Sequence, residues 1–153
     1  MAIIRISLFN RSTTLTDAEV AQAVLALQTQ IHRDFAPAWG IDADLVFVPK
    51  NAAPAPRSWW VTILDHSDQA GALGYHDVTS EGLPLGKVFA ATDRQYGNQW
   101  TVTASHEILK MPADPAINIQ VFVHDSHTYG RTNFYEQADS CYAEGGGYSL
   151  HSG

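Results

Sequence analysis

The sequence predicts an α+β domain: a twisted mixed sheet, a long packing helix, and a short helix that carries a His-Glu pair. Three observations predict it. An N-terminal run alternates apolar and polar residues, and a long segment of helical period follows it. Four short stretches rich in Val, Ile, Leu and aromatics then precede the dipeptide His106-Glu107. The 153 residues, 45% of them hydrophobic, suffice for one compact core and not comfortably for two, so a single domain over 1–153 is expected.

The first element is AIIRISLF, whose alternation reads as a strand. The segment TLTDAEVAQAVLALQTQIHRDFAPAWG reads as a helix over 16–36. Thr16 or Thr14 can cap it, and Asp17 and Glu19 lie near its positive N-terminal end. Val20, Val24, Leu27 and Ile31 form its apolar stripe, and Pro37 and Gly40 are expected to stop it.

ADLVFVP, SWWVTILDH, AGALGYHD and GKVFAATD then read as four strands of one sheet, bounded by Pro, Gly, Asn or Asp. PKNAAPAPR, residues 49–57, has three prolines and no periodicity, so it is a loop between the first two of these strands.

Residues 100–111 read as the short second helix. Thr101 or Thr103 can cap its start, while Pro112 opposes regular continuation and biases Met111 away from helical angles. Val102, Leu109 and Ile108 are expected to face inward, which leaves His106 and Lys110 on one face. Beyond Pro112 only INIQVFVH reads as a strand. The tail GGGYSLHSG, residues 145–153, carries no packing signal and is expected to be disordered or anchored by a partner.

Composition removes several function classes. Nine Lys+Arg against 16 Asp+Glu give a formal charge of −7, and no basic patch offsets it, so nucleic acid is not an expected partner. The N-terminal apolar run is short and interrupted by Arg5, and no segment approaches the length that crosses a bilayer, so neither a signal peptide nor a membrane span is expected. The expected location is the cytoplasm where the chain is made, which leaves room for packaging in a virion. The single Cys141 cannot form an internal disulfide and has no diagnostic histidine spacing. GLPLGKV lacks a spacer residue and the Ser/Thr of a phosphate-binding loop.

The His-Glu pair is the chemical signal. In zinc peptidases His-Glu-x-x-His sets two imidazoles on one helical face to grip an ion while the glutamate activates water. Here the fourth step falls on Lys110. A lysine ligates only as a neutral amine, and stripping its proton at pH 7 from a pKa of about 10.4 costs roughly 4.6 kcal/mol. Three residues after Glu107, Lys110 is instead placed for a helical ion pair, and its charge repels a nearby metal ion. His76 beside Asp77, and His124 with His127, are read as strand-end and loop residues rather than ligands.

Several ordered segments carry a closer resemblance. ALGYHDVTSEGLPLGKVFA (72–90), TASHEILKMPADPAIN (103–118) and FYEQAD (134–139) resemble a family of small zincin-like metallopeptidase-type proteins from phage and bacterial genomes. That family's pattern is a Gly-Tyr-His-Asp segment, a Gly-Lys-Val-Phe strand, Ser-His-Glu-x-x-Glu-x-x-x-Asp-Pro and a later Tyr-Glu-x-x-Asp. The resemblance spans about Ala72 to Asp139 and implies a zincin-like fold. It further implies that His106 is a metal ligand, that Glu107 is the catalytic general base, and that Glu136 and Asp139 supply the later acidic ligands. Asp114 matches the Asp-Pro element. Lys110 and Tyr142 depart from the pattern by replacing anionic positions with a cation and a phenol.

In zincins an edge strand beside the active-site helix binds extended peptide through backbone hydrogen bonds, and Gly86, Lys87, Val88 and Phe89 are placed in sequence to be that strand. The resulting expectation is a degenerate zincin-like protein that serves as a structural or binding component, phage-associated by family company. Zinc is expected at low occupancy, and the partners are expected to be proteins, peptides or the subunits of a larger assembly. The alternative is a zinc-dependent metallopeptidase that hydrolyses peptide bonds with Glu107 as base.

Overall fold

The computed structural model describes residues 3–68, 72–79, 81–115, 120–124 and 132–136, with the backbone alone at 75–76, 120–124 and 132–136. The domain is mixed α/β. Five strands, β1 (Ile4–Asn10), β2 (Ala43–Val48), β3 (Trp59–Leu64), β4 (Gly74–Val78) and β5 (Pro84–Phe89), form a sheet of order β2-β1-β3-β5-β4. β2, β1, β3 and β5 run parallel, and β4 pairs antiparallel with β5 at the edge. A separate antiparallel pair joins β6 (Gln120–His124) and β7 (Thr132–Glu136).

Helix α1 (Asp17–Gln30) starts at a full capping box. Thr16 Oγ1 accepts from the Glu19 amide at 3.2 Å, and Glu19 Oε2 accepts from the Thr16 amide at 2.7 Å. Pro37 does not end the helical run as expected. The chain widens into a π turn over Ile31–Phe35, with the Ala36 N–H reaching back to the Ile31 carbonyl, and continues as α2 (Ala36–Trp39). A wider turn ahead of a proline relieves the collision between its ring and the preceding turn. Gly40, at φ 70°, supplies the left-handed stop.

α1 and the later helix α4 (Trp100–Ala113) lie over one face of the sheet, because both contribute to the same core. Val20, Val24, Leu27 and Ile31 meet Ile6, Leu8, Val61, Ile63 and Val88, and Ala104, Ile108 and Met111 complete the cluster. Ser105 Oγ donates to Gln30 Oε1 at 2.6 Å between the two helices. On the far face Ser7 and Ser58 hydroxyls meet at 2.7 Å, and Phe9 packs edge-on to Trp60 with ring centroids 5.6 Å apart. Arg11 stacks over Phe9 and donates to the carbonyls of Lys50 and Ala52, which ties down the proline-rich loop.

The segment GKVFAATD is only half strand. β5 ends at Phe89, and Ala90–Gln95 turn into a short helix, α3. Asp65 at the end of β3 fixes this turn, since its carbonyl accepts from Ala91 and Thr92 at 2.9 and 3.0 Å. Its carboxylate accepts from Ser12 Oγ, both polar groups of Thr13, and both polar groups of Thr14, at 2.5 to 3.3 Å. Burial alone would raise the Asp65 pKa, but these donors from Ser12, Thr13 and Thr14 hold it well below the usual carboxylate range. One side chain therefore joins the β1–α1 turn to the β3 end.

Candidate functional site

α4 runs from Trp100 to Ala113, starting where expected and extending two residues further at its C-terminal end. Thr101 and Thr103 do not cap it. Gln99 is the N-cap, in extended conformation with no side-chain cap bond, and both threonines lie inside the helix. Pro112 also lies inside, in the last turn. A proline there forgoes a single helical bond, and the buried surfaces of Met111, Pro112 and Ala113 offset the loss.

The face turned to the sheet carries Thr103, Ala104, Glu107, Ile108 and Met111, all buried. Ile108 is the core residue expected, while Val102 is half-buried and Leu109 is partly buried against the core and the Phe35–Ala113 cluster. Glu107 thus points at the sheet, with a side chain only 4% exposed. Two glycines make room for it. A Cβ on Gly74 would sit 2.8 Å from Thr103 Cγ2 and 3.2 Å from Glu107 Cγ. One on Gly86 would sit 3.3 Å from Met111 Sδ and 3.7 Å from Glu107 Cβ. The close approach of α4 to β4 leaves no room for a side chain at Gly74, and at Gly86 a Cβ would be tight against Met111 and Val61.

His106 sits on the flank of this face, 15% exposed, with Nε2 3.9 Å from Glu107 Oε1. That separation is beyond a hydrogen bond. Lys110, one turn on, is half-buried on the same flank, and Asp114 closes the helix fully buried, its N–H donating to the Lys110 carbonyl at 2.8 Å. The flank therefore offers one imidazole, one cation and one buried acid, Asp114, in series.

The remaining expected ligands, Glu136 and Asp139, fall outside what is described of the side chains. Glu136 is the last residue of β7 and pairs in register with Gln120, and its side chain lies outside the described residues, as do Asp139, Cys141, Tyr142 and the 145–153 tail. Among the described residues no three His, Cys, Asp or Glu side chains are grouped to hold a metal ion. His124 ends β6, and His76 lies in β4 opposite Gly86.

The expected edge strand requires correction. Gly86, Lys87, Val88 and Phe89 lie in β5, which pairs with β3 on one side and β4 on the other, so their main-chain groups are not available to a ligand. The edge beside α4 is β4. The antiparallel return of β4 precedes β5 in sequence yet lies outside it in space, an order that local patterning does not carry. Phe89 N–H bonds to the Leu73 carbonyl and Thr79 N–H to the Leu83 carbonyl, so the alternation of an antiparallel ladder turns the main-chain groups of Gly74, His76 and Val78 outward. The Val78 N–H is met by the Asp77 carboxylate at 2.8 Å, and among the described residues no strand pairs with this side of β4.

Sequence reasoning missed Asp93. This residue of α3 is fully buried, accepts from Thr103 Oγ1 at 2.8 Å, and has its Oδ2 buried with no hydrogen-bond partner among the described residues. Burial pushes its carboxyl up to about 6, against the opposing effect of the Thr103 hydroxyl. The only sequence signal was an aspartate at the end of an apolar run, which reads as a strand terminus. Comparison of the chain with family models, curated proteins and solved structures gives no significant match.

Proposed function

We propose that the chain is a degenerate zincin-like module that binds an extended protein or peptide segment along β4 without hydrolysing it, as a component of a larger assembly. The observation that carries this reading is the placement of an open antiparallel edge, β4, directly against the helix that bears His106-Glu107. The zincin resemblance assigns peptide binding to an edge in that position, and the outward groups of Gly74 and His76 are suited to it. Lys110 argues against catalysis, because a cation one turn from His106 opposes a divalent ion on that flank. So does the burial of Glu107, which sets the would-be base against glycines of the sheet rather than in open solvent.

The family's genomic company makes a phage particle a natural setting, and no helix among the described residues is long and apolar enough to cross a membrane. A second reading, zinc-dependent peptide hydrolysis, rests on His106 retaining access to solvent beside Glu107. Zinc-supplemented protein incubated with casein separates the two. No cleavage is expected, whereas zinc-dependent cleavage abolished by Glu107→Gln would establish the peptidase.

A further inference from the structure

At the opposite edge of the sheet, β2 is guarded by a side chain. Gln28, near the end of α1, accepts from the Leu45 N–H through Oε1 at 2.6 Å and donates to the Ala43 carbonyl through Nε2 at 2.9 Å. Those two main-chain groups are the ones an added strand would use, so the carboxamide stands in for a neighbouring peptide unit. The same two contacts fix which end of the amide is nitrogen. Gln28 Nε2 also lies 2.7 Å from His32 Nε2, and since the amide can only donate there, the ring nitrogen must accept. The imidazole proton therefore sits on Nδ1, which donates to Asp42 Oδ1 at 2.7 Å.

We propose that Gln28 and His32 form a proton-operated guard on the β2 edge. A proton taken from solvent by His32 Nε2 sets two donor nitrogens against each other and breaks the Gln28–His32 hydrogen bond. The charged ring is then drawn to Asp44, whose Oδ1 lies 3.9 Å from Nε2, while Asp42 keeps Nδ1. Asp42 and Asp44 are the charged groups that face the ring from β2 and the turn before it. On the ring's own turn Arg33 and Asp34 pair with each other at 2.6 Å. His32 is 46% exposed, so the proton arrives without local unfolding. Gln28 keeps its two bonds to β2 but loses the third, to His32, that holds its carboxamide in place, and the edge opens more often. The device does not depend on the chemistry assigned to His106.

The Leu45 amide reports on it directly, because its outward bond is to Gln28. Residue-resolved hydrogen exchange of the whole chain, corrected for intrinsic rates, is expected to show Leu45 protection falling about fivefold between pH 8 and pH 5, as suits the loss of one neutral hydrogen bond. Leu8 and Val61 in the central strands should stay unchanged. His32→Asn should remove the pH response, and Gln28→Ala should leave Leu45 unprotected at both values. Nitrogen-15 shifts of His32 in the unaltered protein give an independent check, with Nε2 unprotonated at pH 8. A Leu45 protection that is flat with pH, that falls together with Leu8 and Val61, or that still responds in His32→Asn would overturn the proposal. So would a neutral ring protonated on Nε2.

Discussion

Thr103 Oγ1 donates to Asp93 Oδ1 at 2.8 Å across the α3–α4 junction, and the second Asp93 oxygen is buried without a hydrogen-bond partner among the described residues. The hydroxyl satisfies half of a carboxylate whose charged form the site disfavours. α4 is thereby joined to α3 through a group whose protonation state matters.

The sign of that dependence follows from the raised pKa. A folded-state value of about 6 lies above the ordinary carboxylate value, so the contribution of Asp93 is fully present at low pH and is lost as pH rises through about 6. Asp93→Asn keeps the acceptor for Thr103 and removes the titration. It should raise stability at pH 8 by about 1 to 3 kcal/mol in urea melts and leave stability at pH 4 nearly unchanged.

Asp65 behaves in the opposite sense. Its carboxylate is held ionised by donors from Ser12, Thr13 and Thr14, so its stabilisation is present above the ordinary carboxylate pKa and is lost only as pH falls well below it. Asp65→Ala leaves those donors to water and unties the β1–α1 turn. A loss of about 2 to 3 kcal/mol at pH 7, measured by urea melts, is expected.

The two sides of β4 should respond differently to proline. The His76 N–H points outward, so His76→Pro removes no ladder bond and should cost less than about 1 kcal/mol, whereas Asp77→Pro deletes a bond to β5 and should cost about 3 kcal/mol or more. Thermal melts of the two variants compare them. Equal losses would mean that β4 is not an open edge.

Much of this architecture was legible in the sequence. The Thr16–Glu19 capping box and the Val20, Val24, Leu27, Ile31 stripe mark α1, and alternation marks β1, because both are local signals. Two readings failed where the cause was not local. Pro37 looked like a terminator, but a π turn accommodates it; GKVFAATD looked like one edge strand, but strand order is set in three dimensions. The space that Gly74 leaves for Thr103 and Glu107 is set by the packing of α4 and carries no local signal. At the site, His106 and Glu107 do share a helix. Their division, one on the flank and the other beneath it, depends on how α4 rolls against the sheet.

Lys110 can be tested by reversal. Lys110→Glu removes a positive charge and adds carboxylate oxygens on the flank that carries His106. The variant should bind zinc more tightly than the original, seen as a zinc-dependent rise in melting temperature, because an ion that binds only the native state stabilises it by mass action. Unaltered zinc affinity would mean that His106 does not belong to a remnant metal site.

Elemental analysis of protein purified without a His-tag decides whether the proposed zincin-like helix holds a working metal centre. Substoichiometric zinc that does not change on His106→Ala is expected. A full equivalent of zinc per chain, lost in that variant, would contradict the degenerate reading.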